Sequence, residues 1–419
     1  MRRRAFHTFG LLLAVTVSGW GASTGQAAVS RTGELSAESK AAITQKLDQA
    51  VQRGEAPGVV ALVVDRDGAL YEAAAGKADL TRGVAMRTDA IFNIASMTKP
   101  VTSVAIMQLY EQGKLKLDDP VSKYLPGFDK LQVITHFNDA DGSVQSRPAK
   151  HVMTLRHLLT HTSGIGYGFS SPIVSKLQKP NQNEWDLPLL QEPGEKWTYS
   201  ASTRVLGMIV EKISGETLEV YFQKNILQPL GMRDTSFAVP AEKQSRVPPV
   251  QQREAGKLTQ QPSAALPVTA PIPSRGDGGL YSTARDYGRF IRMFLNGGKL
   301  GDARILSEAS VKLMGQNHIG AIFVQTQPAA RPTLTKPFPL GAGHDKFGLG
   351  FQIAQAAPGS APYRSPGSMS WAGIFNTEFW IDPREHVGGV LMMQMLPFYD
   401  DGAIRALRDF EAAVYKELR

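Results

Sequence analysis

Phe92-Asn93-Ile94-Ala95-Ser96-Met97-Thr98-Lys99-Pro100-Val101 is the stretch on which the reading of this chain turns. Before it, Val59–Val64 and Ala69–Ala74 read as two strands joined at Arg66-Asp67-Gly68, an Asp-Gly hairpin signal. After it, Val101, Ile106, Leu109 and Tyr110 follow helical spacing as far as Gly113. Ser96 therefore falls at a helix N-terminus, where free backbone N–H groups and the helix dipole favour a developing negative charge. Lys99, three residues on, shares its face. A lysine desolvated there can lose its proton and accept one from the hydroxyl. Pro100 is tolerated because first-turn N–H groups lack intrahelical partners. Ser-x-x-Lys is a serine-nucleophile signature, and this is its single occurrence in the chain. About one such pair is expected by chance at this length, so its weight comes from the hairpin-then-helix setting.

Composition narrows the chemistry. The chain has 419 residues, 42% hydrophobic and 20% charged, which is ample for a sizeable core and excludes wholesale disorder. At about 150 residues per domain this means two to three domains or one bilobed unit. The absence of Cys excludes a thiol nucleophile, disulfides, Cys-ligated zinc, iron–sulfur clusters and a lipidated N-terminal Cys. Covalent catalysis then falls to Ser, Thr or Lys. The other serine signature, Gly-x-Ser-x-Gly, occurs once, at Gly21-Ala22-Ser23-Thr24-Gly25. That match lies in a segment that reads as an export signal. Arg2, Arg3 and Arg4 form a basic n-region, and Phe9 to Val17 is apolar but too short to span a bilayer. Gly25-Gln26-Ala27-Ala28 then offers cleavage after Ala27 or Ala28. Arg3-Arg4-Ala5-Phe6 also fits a loose twin-arginine pattern.

Removing residues 1–27 takes away three Arg and no acid, so the net charge falls from +8 to +5. The remaining Lys and Arg interleave with acids and form no basic stripe with aromatics. That pattern is a solvated surface rather than a nucleic-acid site. No other apolar run approaches 18 residues, so the expectation is a soluble periplasmic or secreted chain with no membrane span after signal cleavage. Composition sets no oligomeric state.

Working outward, Ser36–Gly54 has helical spacing, with Ile43, Leu47 and Val51 on one face. Further helices are expected at Thr154–Thr160, Thr203–Ile213, Leu218–Ile226, Ala284–Leu295 and Ser307–Met314, with Thr283 and Asp286 resembling a capping box. Residues 238–275, rich in Pro, Gln and Ser, and 316–346, with Pro328, Pro332, Pro337 and Pro339, read as irregular excursions. They are either active-site walls or linkers. Phe351–Ala354, Ser370–Phe375, Thr377–Ile381 and Val387–Met395 return to strand patterns, with a turn at Asp382-Pro383, before a final helix from about Ala403 to Leu418. Strands at both ends around a helical middle predict an α+β fold. One antiparallel sheet is built from both termini (about 28–95 and 340–419) with a mainly helical lobe (about 96–339) inserted between. No internal repeat is present.

Two further segments hold candidates. In Pro193-Gly194-Glu195-Lys196-Trp197-Thr198-Tyr199-Ser200-Ala201, a turn delivers Tyr199 to a helix start. There it is either a half-buried packing residue or, paired with a lysine, a proton relay for a serine. In Ser370-Trp371-Ala372-Gly373-Ile374, Gly373 allows close backbone approach, and a strand N–H beside the nucleophile would complete an oxyanion hole. Without that context Trp371 reads as a core aromatic. His157 and His161 lie four apart, but no Glu completes a metal motif and no third ligand is evident. They read as structural helix-end residues, and no metal or other cofactor is implied.

These segments, in this order, resemble the serine β-lactamase and penicillin-binding superfamily, and more narrowly the class C β-lactamase-like family VIII carboxylesterases. The likeness spans about residues 35–415. It also rests on Leu155-Arg156-His157-Leu158-Leu159-Thr160-His161-Thr162-Ser163-Gly164, Gly278-Gly279-Leu280-Tyr281-Ser282-Thr283 and Phe379-Trp380-Ile381-Asp382-Pro383. The resemblance implies a β-lactamase/transpeptidase-like fold with Ser96 as the acylated nucleophile and Lys99 with Tyr199 as base. It implies an oxyanion hole from the backbone N–H groups of Ser96 and Ile374, and a substrate wall at Trp371, Ala372 and Gly373. Two departures matter. β-Lactamases of this type carry Tyr-x-Asn where this chain has Ala201, and Lys-Thr-Gly where it has Trp371-Ala372-Gly373. Losing a charge-assisted partner costs about 1–3 kcal/mol or more. The implied function is thus an exported serine esterase acting on small neutral esters with short acyl chains. The competing readings are a β-lactamase or D-amino-acid peptidase of the same mechanism, and a non-catalytic cell-wall peptide-binding protein.

Overall fold

The computed structural model describes residues 35–262, 265–356 and 363–418. The export-signal reading and the Gly21–Gly25 match lie outside them. Helix α1 (Ala37–Gln52) starts where Ser36 Oγ accepts the Ser39 N–H, and it buries Ile43 and Leu47. Strands β1 (Gly58–Val64) and β2 (Ala69–Asp79) follow as an antiparallel hairpin. In its turn, Asp65 Oδ1 accepts from the N–H groups of Asp67 and Gly68, which is the side-chain chemistry that makes Asp-Gly a turn signal. The Ser96 segment then opens helix α2 (Thr98–Glu111), and α3 (Ser202–Ser214) packs beside it. After helix α4 (Ala284–Leu295), the chain returns to strands β3 (Met369–Gly373), β4 (Thr377–Asp382) and β5 (Val387–Met392), and closes with helix α5 (Asp401–Leu418).

Among the described residues the main sheet has eight strands in the order Lys346–Phe347, Gln352–Ile353, β3, β4, β5, β1, β2, Val84–Ala85. The two ends of the chain meet in its middle, where β1 pairs antiparallel with β5 and Val60 faces Met392. All seven residues of β1 are buried. Val59, Ala61 and Val63 join the core under α1 and α5, while Val60, Leu62 and Val64 join the core shared with α4 and the helical region. Alternate residues thus enter opposite cores, which is why the strand reads as a continuous apolar run rather than an alternating one. Helix α4 approaches closely because it carries Gly288: a Cβ there would sit 2.4 Å from Leu62. So α4, which lies inside the stretch expected to form the helical lobe, packs on the sheet instead.

Other expectations need correction. Thr283 Oγ1 accepts the Asp286 N–H, but the Asp286 carboxylate turns to Asp234 N and Thr235 Oγ1, so only half of the capping box forms. The 238–275 excursion holds a hairpin, Gln251–Glu254 with Lys257–Gln260. Its two-residue turn, Ala255-Gly256, has positive φ at both positions, as the right-handed strand twist favours. A second hairpin pairs Gln132–Phe137 with Val144–Pro148. The apolar run expected as Val387–Met395 breaks after Met392, and Met395–Leu396 pairs parallel with Gln251–Gln252. β3 ends at Gly373, two residues earlier than expected, where Asn376 (φ +59°) turns the chain and donates to the carbonyls of Met395 and Pro397.

Candidate active site

Ser96, the candidate nucleophile, sits on a constrained turn. Phe92–Asn93 pairs with Tyr281–Ser282, the Ile94 N–H donates to Leu280 O, and Asn93 Oδ1 accepts from Ala95 N. These bonds hold Ala95 at φ +41°, a left-handed conformation unusual for a residue with a Cβ. The chain then enters a 3-10 turn over Ala95–Met97 and continues into α2. The turn is anchored from below by Tyr287, whose hydroxyl donates to Met97 O at 2.9 Å. β3 approaches from the side: a Cβ on Gly373 would lie 2.3 Å from Ile94 O. Glycine is needed there, and it brings the following residue, Ile374, to the end of the strand next to the nucleophile turn.

Lys99 is only 2% exposed. Its Nζ donates to Ser96 Oγ at 3.0 Å and to the carbonyl of Asp277 at 2.7 Å. Burial lowers its pKa to about 7; the Asp277 carboxylate opposes this, and Arg275 and Arg204 add to it. The hydroxyl of Tyr199 donates to the same Ser96 Oγ at 2.7 Å. Burial holds Tyr199 well above the ordinary phenol range, so the resting group is the phenol and not the phenolate. Of the two partners, Lys99 is the one whose proton-accepting form is populated near pH 7.

The aromatic wall is dense. Trp371 packs against Tyr199 with ring centroids 5.0 Å apart, and Phe338, from the second excursion, packs edge-on at 5.5 Å. The same excursion supplies Gln327, whose Oε1 accepts the Tyr199 N–H. Of the two open readings for residues 316–346, the active-site wall is the one observed. Ala372 departs from expectation. It pairs with Glu378 across the sheet, whereas Trp371 pairs with Phe379, which packs on Tyr287 of α4. Alternation along β3 therefore turns Ala372 to the opposite face of the sheet, away from Ser96.

The paired histidines have structural partners. His157 accepts the Thr154 N–H and caps its helix. His161 hydrogen-bonds Ser200 Oγ at 3.0 Å and stacks beside Trp371, and burial keeps it neutral. No group of three or more His, Cys, Asp or Glu able to hold a metal occurs among the described residues. Ala201 is fully buried among apolar groups, so no polar side chain reaches the site from the position of the Tyr-x-Asn asparagine.

Sequence reasoning missed one element. Asp277 is buried, and its carboxylate accepts from Tyr167 Oη at 2.6 Å and from Arg204 Nε at 3.0 Å. Burial alone would raise its pKa, but Arg275, Lys99 and Arg204 together hold it well below the usual carboxylate range. It is therefore a fixed negative charge beside Lys99, whose Nζ hydrogen-bonds the same residue's carbonyl. The available signals were a lone acid in Arg275-Gly276-Asp277-Gly278-Gly279 and an aromatic in Gly164-Ile165-Gly166-Tyr167-Gly168.

Comparison with known proteins agrees with this geometry. The Beta-lactamase family matches residues 43–414. Protein Rv1367c of Mycobacterium tuberculosis is 35% identical over 356 residues, covering 81% of this chain and 86% of that protein. Esterase EstB of Burkholderia gladioli is 31% identical over 372 residues, covering 80% and 85%. The structure of a simvastatin synthase mutant from Aspergillus terreus superposes with a TM-score of 0.77 at 28% identity, over 91% of this chain and 96% of that one. The Ser-x-x-Lys turn, the tyrosine and the antiparallel sheet thus belong together: the chain is a member of the Beta-lactamase family, among relatives that are esterases and acyltransferases.

Proposed function

We propose that this protein hydrolyses carboxylic esters through an acyl-enzyme on Ser96. The observation that carries the reading is the convergence of Lys99 Nζ and Tyr199 Oη on Ser96 Oγ, at 3.0 and 2.7 Å. Neutral Lys99 takes the Ser96 proton as Oγ bonds to the ester carbonyl carbon. The oxyanion forms at the N–H groups of Ser96 and Ile374. The proton passes through Tyr199 to the departing alkoxide as the carbon–oxygen bond breaks. Water then adds to the acyl carbon and gives a proton to the Lys99–Tyr199 pair; that proton passes to Ser96 Oγ as the acyl carbon–Oγ bond breaks, which releases the acid and restores Ser96.

Trp371 and Phe338, both packed on Tyr199, crowd one side of the reacting carbon. That crowding supports short acyl chains. The same wall stands where a β-lactam carboxylate would need a cation, which favours esters over β-lactams. The basic n-region and apolar run at residues 2–17 support an exported protein. A processed N-terminus near Ala27 or Ala28 in mature protein is the expected observation for export.

Parallel turnover of p-nitrophenyl butyrate and nitrocefin tests the activity. Fast ester cleavage with slow nitrocefin cleavage is expected, and the reverse order overturns the esterase reading. A fluorophosphonate probe is expected to label the wild type and not Ser96→Ala. Equal labelling of both would remove Ser96 as nucleophile, and labelling of neither with no turnover would favour a binding protein.

A further inference from the structure

A cavity of about 660 Å³ lies beside the catalytic tyrosine. It shares two walls with the catalytic centre, because Phe338 and Trp371 line it and both rings pack on Tyr199. From there it runs past Leu340, Ala354 and Leu407 to the face of the sheet where Ala372 and Glu378 stand side by side under α5. The catalytic residues make no use of this region.

Glu378 is the unusual group in it. The residue is 6% exposed, lines the cavity, and leaves Oε1 buried without a hydrogen-bond partner. Its charged neighbours are already committed. Arg364 donates through Nε and Nη2 to Glu411, and its guanidinium lies over the Trp380 ring. Asp345 accepts from Gln352 Nε2 at 2.6 Å and from Gln355 N at 3.0 Å. An unsatisfied buried polar group costs about 1–3 kcal/mol, and an unpaired buried charge costs more. Burial pushes the Glu378 carboxyl up to about 8, against the pull of Arg364 and with a further push from Glu411. The cavity therefore presents a carboxyl group that forms no ion pair among the described residues, beyond the walls made by Phe338 and Trp371. An ammonium ion supplies what is missing: an opposite charge, three donors, and attraction to the faces of Phe398 and Tyr399, which also line the cavity.

We propose that this cavity is a subsite for an ammonium group at the remote end of the ester, with Glu378 as its counter-ion. The inference rests on the esterase reading for the identity of the substrate, but its binding half stands apart from turnover. When the cation enters, Glu378 releases its proton to solvent, or passes it to an amine that arrives neutral. An anionic group would have to compete with Glu411 for Arg364, or turn to the exposed Arg408 or His344, which also line the cavity.

The test uses n-hexylammonium, 1-hexanol and hexanoate at pH 7. Binding is measured by calorimetry, and competition against p-nitrophenyl butyrate by steady-state kinetics. Wild type is expected to bind hexylammonium at least tenfold more tightly than hexanol, with competitive inhibition, and Glu378→Gln to bring the ratio close to one. Equal wild-type affinities, tighter hexanoate binding, or a preference retained by Glu378→Gln would each overturn the proposal. The wild-type ratio needs no variant, so it decides the matter even if Glu378→Gln fails to fold. Ala354→Phe, which fills the passage, is then expected to weaken both hexylammonium and hexanol. Ester turnover without ammonium preference removes the subsite alone. Ammonium preference without ester turnover removes the esterase reading alone.

Discussion

Lys99 and Glu378 are both buried ionisable groups near Trp371, and the protein treats them in opposite ways. Lys99 gives hydrogen bonds to Ser96 and to the Asp277 carbonyl, and a fixed carboxylate stands close by. Glu378 has a buried oxygen without a hydrogen-bond partner and lines a cavity. The first group is held in one place and balanced between its charge states near pH 7. The second is neutralised by burial and waits for a partner from outside. Burial alone is therefore a poor guide to role. What separates a proton carrier from a docking point is whether the protein supplies the partners itself.

The largest expected effect is on the partnered side. Lys99→Met removes the base and should lower kcat/KM for p-nitrophenyl butyrate by about 10³-fold. In the wild type, activity should rise with pH through a limb near 7 as Lys99 becomes neutral, and no such limb should remain in the variant. Asp277→Asn is expected to cost about tenfold, since it acts through Lys99 rather than on substrate. Its more telling readout is direction. Asp277 favours the ammonium form, so its removal should move the limb to lower pH. A limb that moves upward would show that Asp277 does not set the charge of Lys99.

Stability against pH separates the two groups further. Lys99 has its pKa lowered from 10.5 to about 7, so its burial penalty is full below pH 7 and fades between 7 and 10.5. Glu378 has its pKa raised from 4.5 to about 8, so its contribution is favourable below 4.5 and is lost as pH rises to 8. Thermal unfolding of Lys99→Met should thus show a stability advantage over wild type that shrinks from pH 7 upward. The advantage of Glu378→Gln should grow from pH 4.5 to 8. Each change amounts to at most about 5 kcal/mol across its window. Parallel slopes would erase the distinction. The smallest effect is expected for Ala95→Gly, where relief of the positive φ and the added chain entropy nearly cancel, within about 1 kcal/mol. A several-fold loss of activity would then report how much the strained turn aims Ser96.

What the sequence revealed of this site followed the range of each interaction. Ser96 and Lys99 were legible because one helical turn joins them. The sheet from both chain ends was legible because β1 and β5 are apolar runs bounded by turn residues. Tyr199 was open to two readings from its own segment, and only its likeness to known relatives chose between them. Asp277 and Tyr167 lie 110 residues apart and meet only in the folded chain, so no local pattern joins them. The hairpin at Gln251–Gln260 was missed because Ala255-Gly256 lacks the Asn or Asp that usually marks such a turn. Ala372 read as one wall with Trp371 because the two are adjacent in the chain, whereas strand alternation sends their side chains to opposite faces of the sheet. Glu378 showed only as an acid between Thr377 and Phe379, and its isolation depends on side chains from three distant segments.

The central pairing of β1 with β5 carries a kinetic consequence. Val60 and Met392 are neighbours in space but more than three hundred residues apart in the chain. Closing so long a loop is slow, and topologies dominated by such contacts refold slowly. The nucleophile turn is wedged between that sheet and α4, so Ser96 acquires its geometry only after the last strands have docked. Recovery of fluorophosphonate labelling after dilution from denaturant should therefore lag behind recovery of helical circular dichroism. In this fold, covalent reactivity is a clock for the completion of the sheet.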